Sequence, residues 1–243
     1  MVAKRELKFI KSLHQKKYRS LNGFFLAEGV KVVGTLIDAG WEPRHLYSTS
    51  TTGNFPSADP ISEKELKSVS TLKQPNQVLG VFEIPPERPP EYSGWVLALD
   101  RLNDPGNLGT IIRLCDWFGI REILCSPDSV DCFNPKVVMA SMGSLARVRV
   151  HYLPLGPALA ESGLSVFGAD MEGVSASAFS FPARGVLLMG SESHGISPDL
   201  KAGLTQSLNI RPFANPGAES LNVGVATGIL LYELRKQQPF IQK

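Results

Sequence analysis

Leu7, Ile10 and Leu13 recur at helical spacing while Lys4, Lys8 and Lys11 line another face, which predicts an amphipathic helix with a basic stripe. Residues 15–22 are polar and read as a connection. From Phe24 a second helical pattern runs through Val30, Val33, Leu36 and Ile37 and stops at Gly40. Leu46-Tyr47 predicts a short strand, and residues 49–60 are rich in turn formers. Ser62 with Glu65 makes a capping box ahead of a helix carrying Leu66 and Val69. Residues 78–84 then read as a strand, so residues 1–84 are expected to form a small α/β unit.

Four prolines fall within residues 85–90, a composition that cannot continue a strand ladder and favours a stiff extended connector. The linker is placed at residues 85–94 and the second domain at 95–243. In that domain apolar strand patterns (95–99, 123–125, 148–153, 165–169, 186–189 and 208–210) alternate with helical ones (107–118, 135–142, 158–162 and 225–236). Such alternation predicts a mostly parallel sheet covered by helices.

Composition narrows the class. With 43% hydrophobic and 20% charged residues, a 243-residue chain reads as a soluble globular protein of one or two domains. No apolar run reaches the ~18 residues that span a bilayer, and the N-terminus has no export signature. Cys115, Cys125 and Cys132 are odd in number and form no C-x-x-C pair, which fits reduced cytosolic thiols and no metal site. Charge is uneven. Residues 1–19 hold seven basic side chains against the single acid Glu6, whereas the whole chain is only +2. A basic patch on a near-neutral protein is the footprint of a polyanion partner, although a solvated helix face has the same composition.

Three stretches carry candidate chemistry. Asn107 can cap a helix that holds Arg113 among apolar neighbours; such an arginine must snorkel, pair, or serve a site. The loop Gly190-Ser191-Glu192-Ser193-His194-Gly195 has two glycines that allow close backbone approach, with Glu192 between them. Its His194 has no third partner in the pattern and reads as a surface residue. Ser220-Leu221-Asn222 precedes the last helix, where Asn222 can cap. The dinucleotide fingerprint, the P-loop, G-x-S-x-G and H-E-x-x-H are all missing. The residues alone therefore describe an α/β ligand-binding domain with a polyanion-binding appendage.

Asn107-Leu108-Gly109-x-x-x-Arg113, Gly190-x-Glu192-x-x-Gly195 and Ser220-Leu221-Asn222-Val223 with Val225-Ala226 resemble, in order, the three motifs of the SpoU (TrmH) RNA ribose methyltransferases of the SPOUT superfamily. The likeness runs through residues 95–236. Phe24-Phe25-Leu26-Ala27-Glu28-Gly29 and the basic helix resemble the RNA-substrate-binding domain often fused in front. The resemblance implies a C-terminal parallel sheet with a deep trefoil knot, a homodimer, and S-adenosyl-L-methionine as cofactor. It implies that Gly190, Ile210 and Leu221 contact the cofactor, that Arg113 and Ser220 face the ribose, and that Asn107, Glu192 and Asn222 brace the site. Lys4, Lys8, Lys11, Lys16, Lys17 and Arg19 are expected to meet RNA, either rRNA or tRNA. Arg211-Pro212-Phe213 departs from the family's Ile-Pro-Met, and residues 214–219 form a longer turn-rich loop than usual. A non-catalytic RNA-binding protein on the same fold, or a base methyltransferase, remain as alternatives.

Overall fold

A computed structural model of the chain describes residues 2–50, 55–214, 217 and 219–238. Parts of the two turn-rich loops, residues 51–54 and residues 215, 216 and 218, lie outside the described residues. The chain divides into two compact units, Met1–Glu87 with Asp131–Arg147, and Arg88–Val130 with Val148–Lys243.

In the first unit, helices α1 (Lys4–Ser12) and α2 (Lys16–Asn22) lead into strand β1 (Phe24–Glu28). Helix α3 (Val30–Asp38), strands β2 (Pro43–Ser48) and β3 (Asp59–Pro60), helix α4 (Glu63–Val69) and strand β4 (Val78–Glu83) follow. The sheet order is β1-β4-β2-β3, with the first two pairings antiparallel. Side chains alternate across it. Leu26, Tyr47, Leu79 and Val81 join Ile10, Leu13, Leu66 and Val69 in one core layer. On the opposite face Phe25 packs against Phe82, Trp41 and Phe133.

Two expected elements differ here. Residues 16–22 are a helix rather than a connection, ended by Gly23 in the left-handed region at φ 74°. Phe24–Glu28 is a strand rather than the start of a helix, because Gly29 at φ 89° separates it from α3. The Ser62–Glu65 capping box is present in full. The segment Asp131–Arg147, expected in the second domain, belongs to the first unit. It holds helix α6 (Pro135–Ser141). Asp131 pairs with Arg19 there, and a Cβ on Gly143 would overlap Thr35.

The second unit runs β5 (Trp95–Leu99), α5 (Pro105–Trp117), β6 (Glu122–Cys125), β7 (Arg149–Tyr152), α7 (Leu155–Ser162), β8 (Val166–Ser175), β9 (Gly185–Met189), α8 (Pro198–Ala202), β10 (Gln206–Asn209) and α9 (Val223–Arg235). The sheet order is β10-β8-β9-β5-β6-β7, and every pairing is parallel. The central strands β5 and β9 are buried along their whole length, which is why they read as unbroken apolar runs. Val96, Ala98, Val186 and Leu188 pack with Leu155 and Leu159 of α7. Strand β8 is longer than expected. Ser207 pairs with Gly168 but Leu208 pairs with Val174, so residues 169–173 leave the ladder as an excursion.

Candidate functional site

All six strands being parallel, their carboxyl ends share one edge of the sheet, the place where such sheets take ligands. Three sequence motifs arrive there. The first is delivered by β5 and α5. Asp104, not Asn107, is the N-cap: its carboxylate accepts the Asn107 N–H at 2.7 Å, with Pro105 opening the helix. Asn107 is thereby freed, and its amide donates to Glu192 Oε1 at 2.9 Å.

The second motif follows β9. Ser191 and Gly195 exchange backbone hydrogen bonds of 3.1 and 2.9 Å, folding residues 190–195 into a closed turn with Gly195 at φ 63°. A Cβ on Gly190 would overlap the backbone of Gly195 and Ile196. The demand on Gly190 therefore comes from the loop's own return. Beyond the turn, the Ser197 N–H donates to Asp100 Oδ2 at 2.7 Å, tying the loop back to β5. His194 is exposed and touches Ser193 Oγ.

The third motif opens α9. Asn222 is the N-cap, its Oδ1 accepting from Gly224 and Val225 N–H at 3.0 and 3.3 Å. Its amide donates to Glu192 Oε1 at 2.7 Å and to Asn107 Oδ1 at 2.9 Å, and the Val223 N–H reaches Glu192 Oε1 at 3.4 Å. One carboxylate oxygen thus joins α5, the β9 loop and the start of α9. The negative charge lies at a helix N-terminus, where the backbone dipoles favour it.

Arg113 is exposed on α5 and makes no hydrogen bond or ion pair among the described residues. It shares an open helix face with Gly106, Thr110 and Trp117, the last 83% exposed. Ser220 and Leu221 are exposed, and Ile210 is half-buried just beyond β10. Two further residues shape the site. Asp100 braces the glycine loop, and Asn209 reaches from β10 into the β8 excursion by donating to Met171 O.

In the first unit, Lys4, Lys8, Lys11, Lys16 and Lys17 are exposed, with Lys17 6.0 Å from the Tyr18 ring. Arg19 does not belong with them. It is 2% exposed, bonds Asp131 through Nε and Nη2 at 3.0 and 2.5 Å, and donates to Leu13 O and His14 O. Its guanidinium is consumed inside the unit and has no free face for RNA.

Known proteins resemble both parts of the chain. Residues 94–232 match the SpoU rRNA Methylase family, and residues 4–80 match an MRM3-like substrate binding domain. A solved TrmH-family RNA methyltransferase structure from Porphyromonas gingivalis superposes with a TM-score of 0.86 at 37% identity, over 98% of this chain and 100% of that one. An rRNA methyltransferase from Sinorhizobium meliloti, solved with bound AdoMet, superposes at 0.85 with 29% identity over 99% and 98%. The 23S rRNA guanosine 2′-O-methyltransferase RlmP of Bacillus subtilis is 29% identical over 93% of this chain and 94% of its own length.

Proposed function

The chain belongs to the SpoU rRNA methylase family, and from that premise we propose that it methylates a ribose 2′-hydroxyl of ribosomal RNA as a cytoplasmic homodimer. By family it is an RNA methyltransferase dependent on S-adenosyl-L-methionine. The observation that carries the reading is the Glu192 oxygen shared by Asn107, Asn222 and the Val223 N–H, which fixes three loop mouths as one site.

The residues present fit the cofactor. Asn209 Oδ1, where β10 meets the β8 excursion, is a buried acceptor with no partner among the described residues, and adenosine N–H or O–H donors would satisfy it. Gly190, Ile210 and Leu221 stand at the mouths of the β9 and β10 loops and would hold the cofactor between them. When bound, the cofactor supplies an electrophilic methyl group. The protein's task is then to aim the ribose hydroxyl along the line of transfer and to stabilise the oxyanion that develops. Arg113 and Ser220 take that role. Guanidinium groups keep their charge in proteins, so Arg113 acts as a clamp on the adjacent phosphate and the nascent oxyanion rather than as a base. Asn107, Glu192 and Asn222 position the loops.

An apolar surface supports the dimer. Helices α5 and α9 pack together and expose Trp117, Val225 and Tyr232, with Leu221 exposed just ahead of α9. Arg113 lies one turn before Trp117, so a second copy covering this face would also close over Arg113. The last helix also returns to α5. Arg235 on the last turn of α9 donates to Phe118 O and Gly119 O at the end of α5. Cys115, Cys125 and Cys132 are buried and none is joined in a disulfide, in keeping with a reducing compartment. The exposed lysines of α1 would track the RNA backbone.

The test is incubation with rRNA and labelled S-adenosylmethionine, then nucleoside digestion and mass spectrometry. A 2′-O-methylnucleoside is expected. A methylated base, or no transfer with intact cofactor binding, would overturn the reading. Sedimentation equilibrium decides the dimer.

A further inference from the structure

Among the described residues three non-glycine positions have positive φ: Gln77 at 46°, Arg101 at 56° and Met142 at 52°. Arg101 stands at the carboxyl end of β5, inside the site edge. Side chains are disfavoured in this backbone region, and residues held there cluster at functional sites. Its backbone is held from both sides. The Arg101 N–H donates to Ser126 Oγ at 2.8 Å, and the next N–H, of Leu102, donates to Ser129 Oγ at 3.1 Å. The two serine hydroxyls bond each other at 3.0 Å, and Asn103 Nδ2 donates to Arg101 O at 3.2 Å. None of these bonds uses the Arg101 side chain. A glycine would make the same turn without strain, so the turn does not call for an arginine.

The side chain has its own arrangement. Nε is buried without a hydrogen-bond partner and lies 3.4 Å from Asp100 Oδ1, close enough to be steered but not bonded. Asp100 is 5% exposed and uses Oδ2 to hold Ser197, so its position is fixed. The Arg101 side chain is 35% exposed, and no acceptor among the described residues takes its terminal nitrogens. A buried acid thus lies beside the base of the guanidinium, while the forked end is part-exposed at the carboxyl end of β5. That fork matches an oxyanion with two oxygens.

We propose that Arg101 binds a backbone phosphate of the substrate RNA and so positions the target strand over the methyl-transfer site. The proposal rests on the methyltransferase reading above, and RNA binding tests it separately from turnover. Arg101→Gln, Arg101→Lys and Arg101→Gly are compared with the wild-type full-length chain by filter binding of rRNA fragments across salt concentrations. Cofactor calorimetry and thermal melting accompany the binding curves. Gln and Gly should weaken RNA binding roughly tenfold and lower the log–log salt slope by ~0.7–0.9, the loss of one phosphate contact. Lys should recover part of the affinity. In turnover the loss should fall on KM for RNA more than on kcat. Arg101→Gly should melt no lower than wild type, because it relieves the left-handed backbone. Three results overturn the proposal: unchanged RNA affinity and slope in Gln and Gly, a lost cofactor affinity in their place, or a lowered melting temperature for Arg101→Gly. The second would assign the fork to the cofactor carboxylate, and the third would make Arg101 structural. A wild type that binds RNA but transfers no methyl would count against the activity and leave the phosphate contact to be judged by the slopes.

Discussion

Asn222 donates its amide to Glu192 at 2.7 Å across thirty residues of chain, while its carbonyl caps the first turn of α9. The side chain that starts the last helix is thus also the one that holds the β9 loop. Loop position and helix position are coupled through a single residue, and Asn107 closes the triangle from α5.

Replacing Glu192 by Ala removes the acceptor shared by Asn107, Asn222 and Val223. The group is exposed and water can substitute in part, so a loss of about 1 kcal/mol is expected, a few degrees in Tm. Methyl transfer should fall much further, because the loops lose their relative positions. Equal activity of variant and wild type would show that the triangle is decorative.

Arg113→Ala should cut methyl transfer by ~10²-fold or more with cofactor affinity and Tm unchanged. Its side chain is exposed and unpaired among the described residues, so folding has no stake in it. Near wild-type turnover would remove Arg113 from the mechanism.

Gly190→Ala should fail as a fold before it fails as a binder. Even one methyl would overlap the Gly195 and Ile196 backbone, and that backbone cannot rotate aside as a flexible side chain can. Gly195→Ala is the control: open space surrounds it, and only its φ of 63° opposes the change, at a cost of about 1 kcal/mol. Soluble yield and melting curves rank the two; a well-folded Gly190→Ala would contradict the geometry.

Lys4, Lys8 and Lys11 changed together to Gln should weaken RNA binding and flatten its salt dependence, with folding intact. Their side chains are exposed, and Ile10 and Leu13, which anchor α1, are untouched. Arg19→Ala should do the reverse. It strands Asp131 and two carbonyls in a buried setting, with a loss of about 3 kcal/mol. Denaturant titration beside filter binding separates the two roles, and parallel salt plots for the lysine variant would reject its RNA contact.

Glu122 gives the fold an acid-sensitive point. Burial pushes its carboxyl up, but hydrogen bonds from His151 and Arg149 outweigh that and hold it below the usual range. A carboxyl depressed in the folded state stabilises above its unfolded value of ~4.3, and that contribution fades as pH falls through the folded value. Melting of wild type and Glu122→Gln should therefore differ most near neutral pH and converge in acid. Arg149 also pairs with Glu91 at 2.9 Å, so part of its charge stays compensated in the variant. A gap independent of pH would remove Glu122 from the acid limb.

The sequence by itself determined what short-range chemistry controls. Unbroken apolar runs announced β5 and β9, the Ser62–Glu65 box announced α4, and Asn107, Glu192 and Asn222 stood out as candidate residues whose shared role only the family resemblance implied. Tertiary structure decided the rest, because it depends on partners distant in the chain. Arg19 looked like one more cation in a basic run, and only Asp131, 112 residues away, makes it a buried strut. Residues 16–22 looked like a linker, yet they form α2, whose one buried residue is that same arginine. The 169–173 excursion has no local signature, since it arises where β10 re-registers against β8. Gly190 was visible as a glycine, but the reason lies in a loop that folds back onto it. Periodicity and capping act within a few residues and leave a local record, whereas a charge or a glycine takes its meaning from what the folded chain brings beside it.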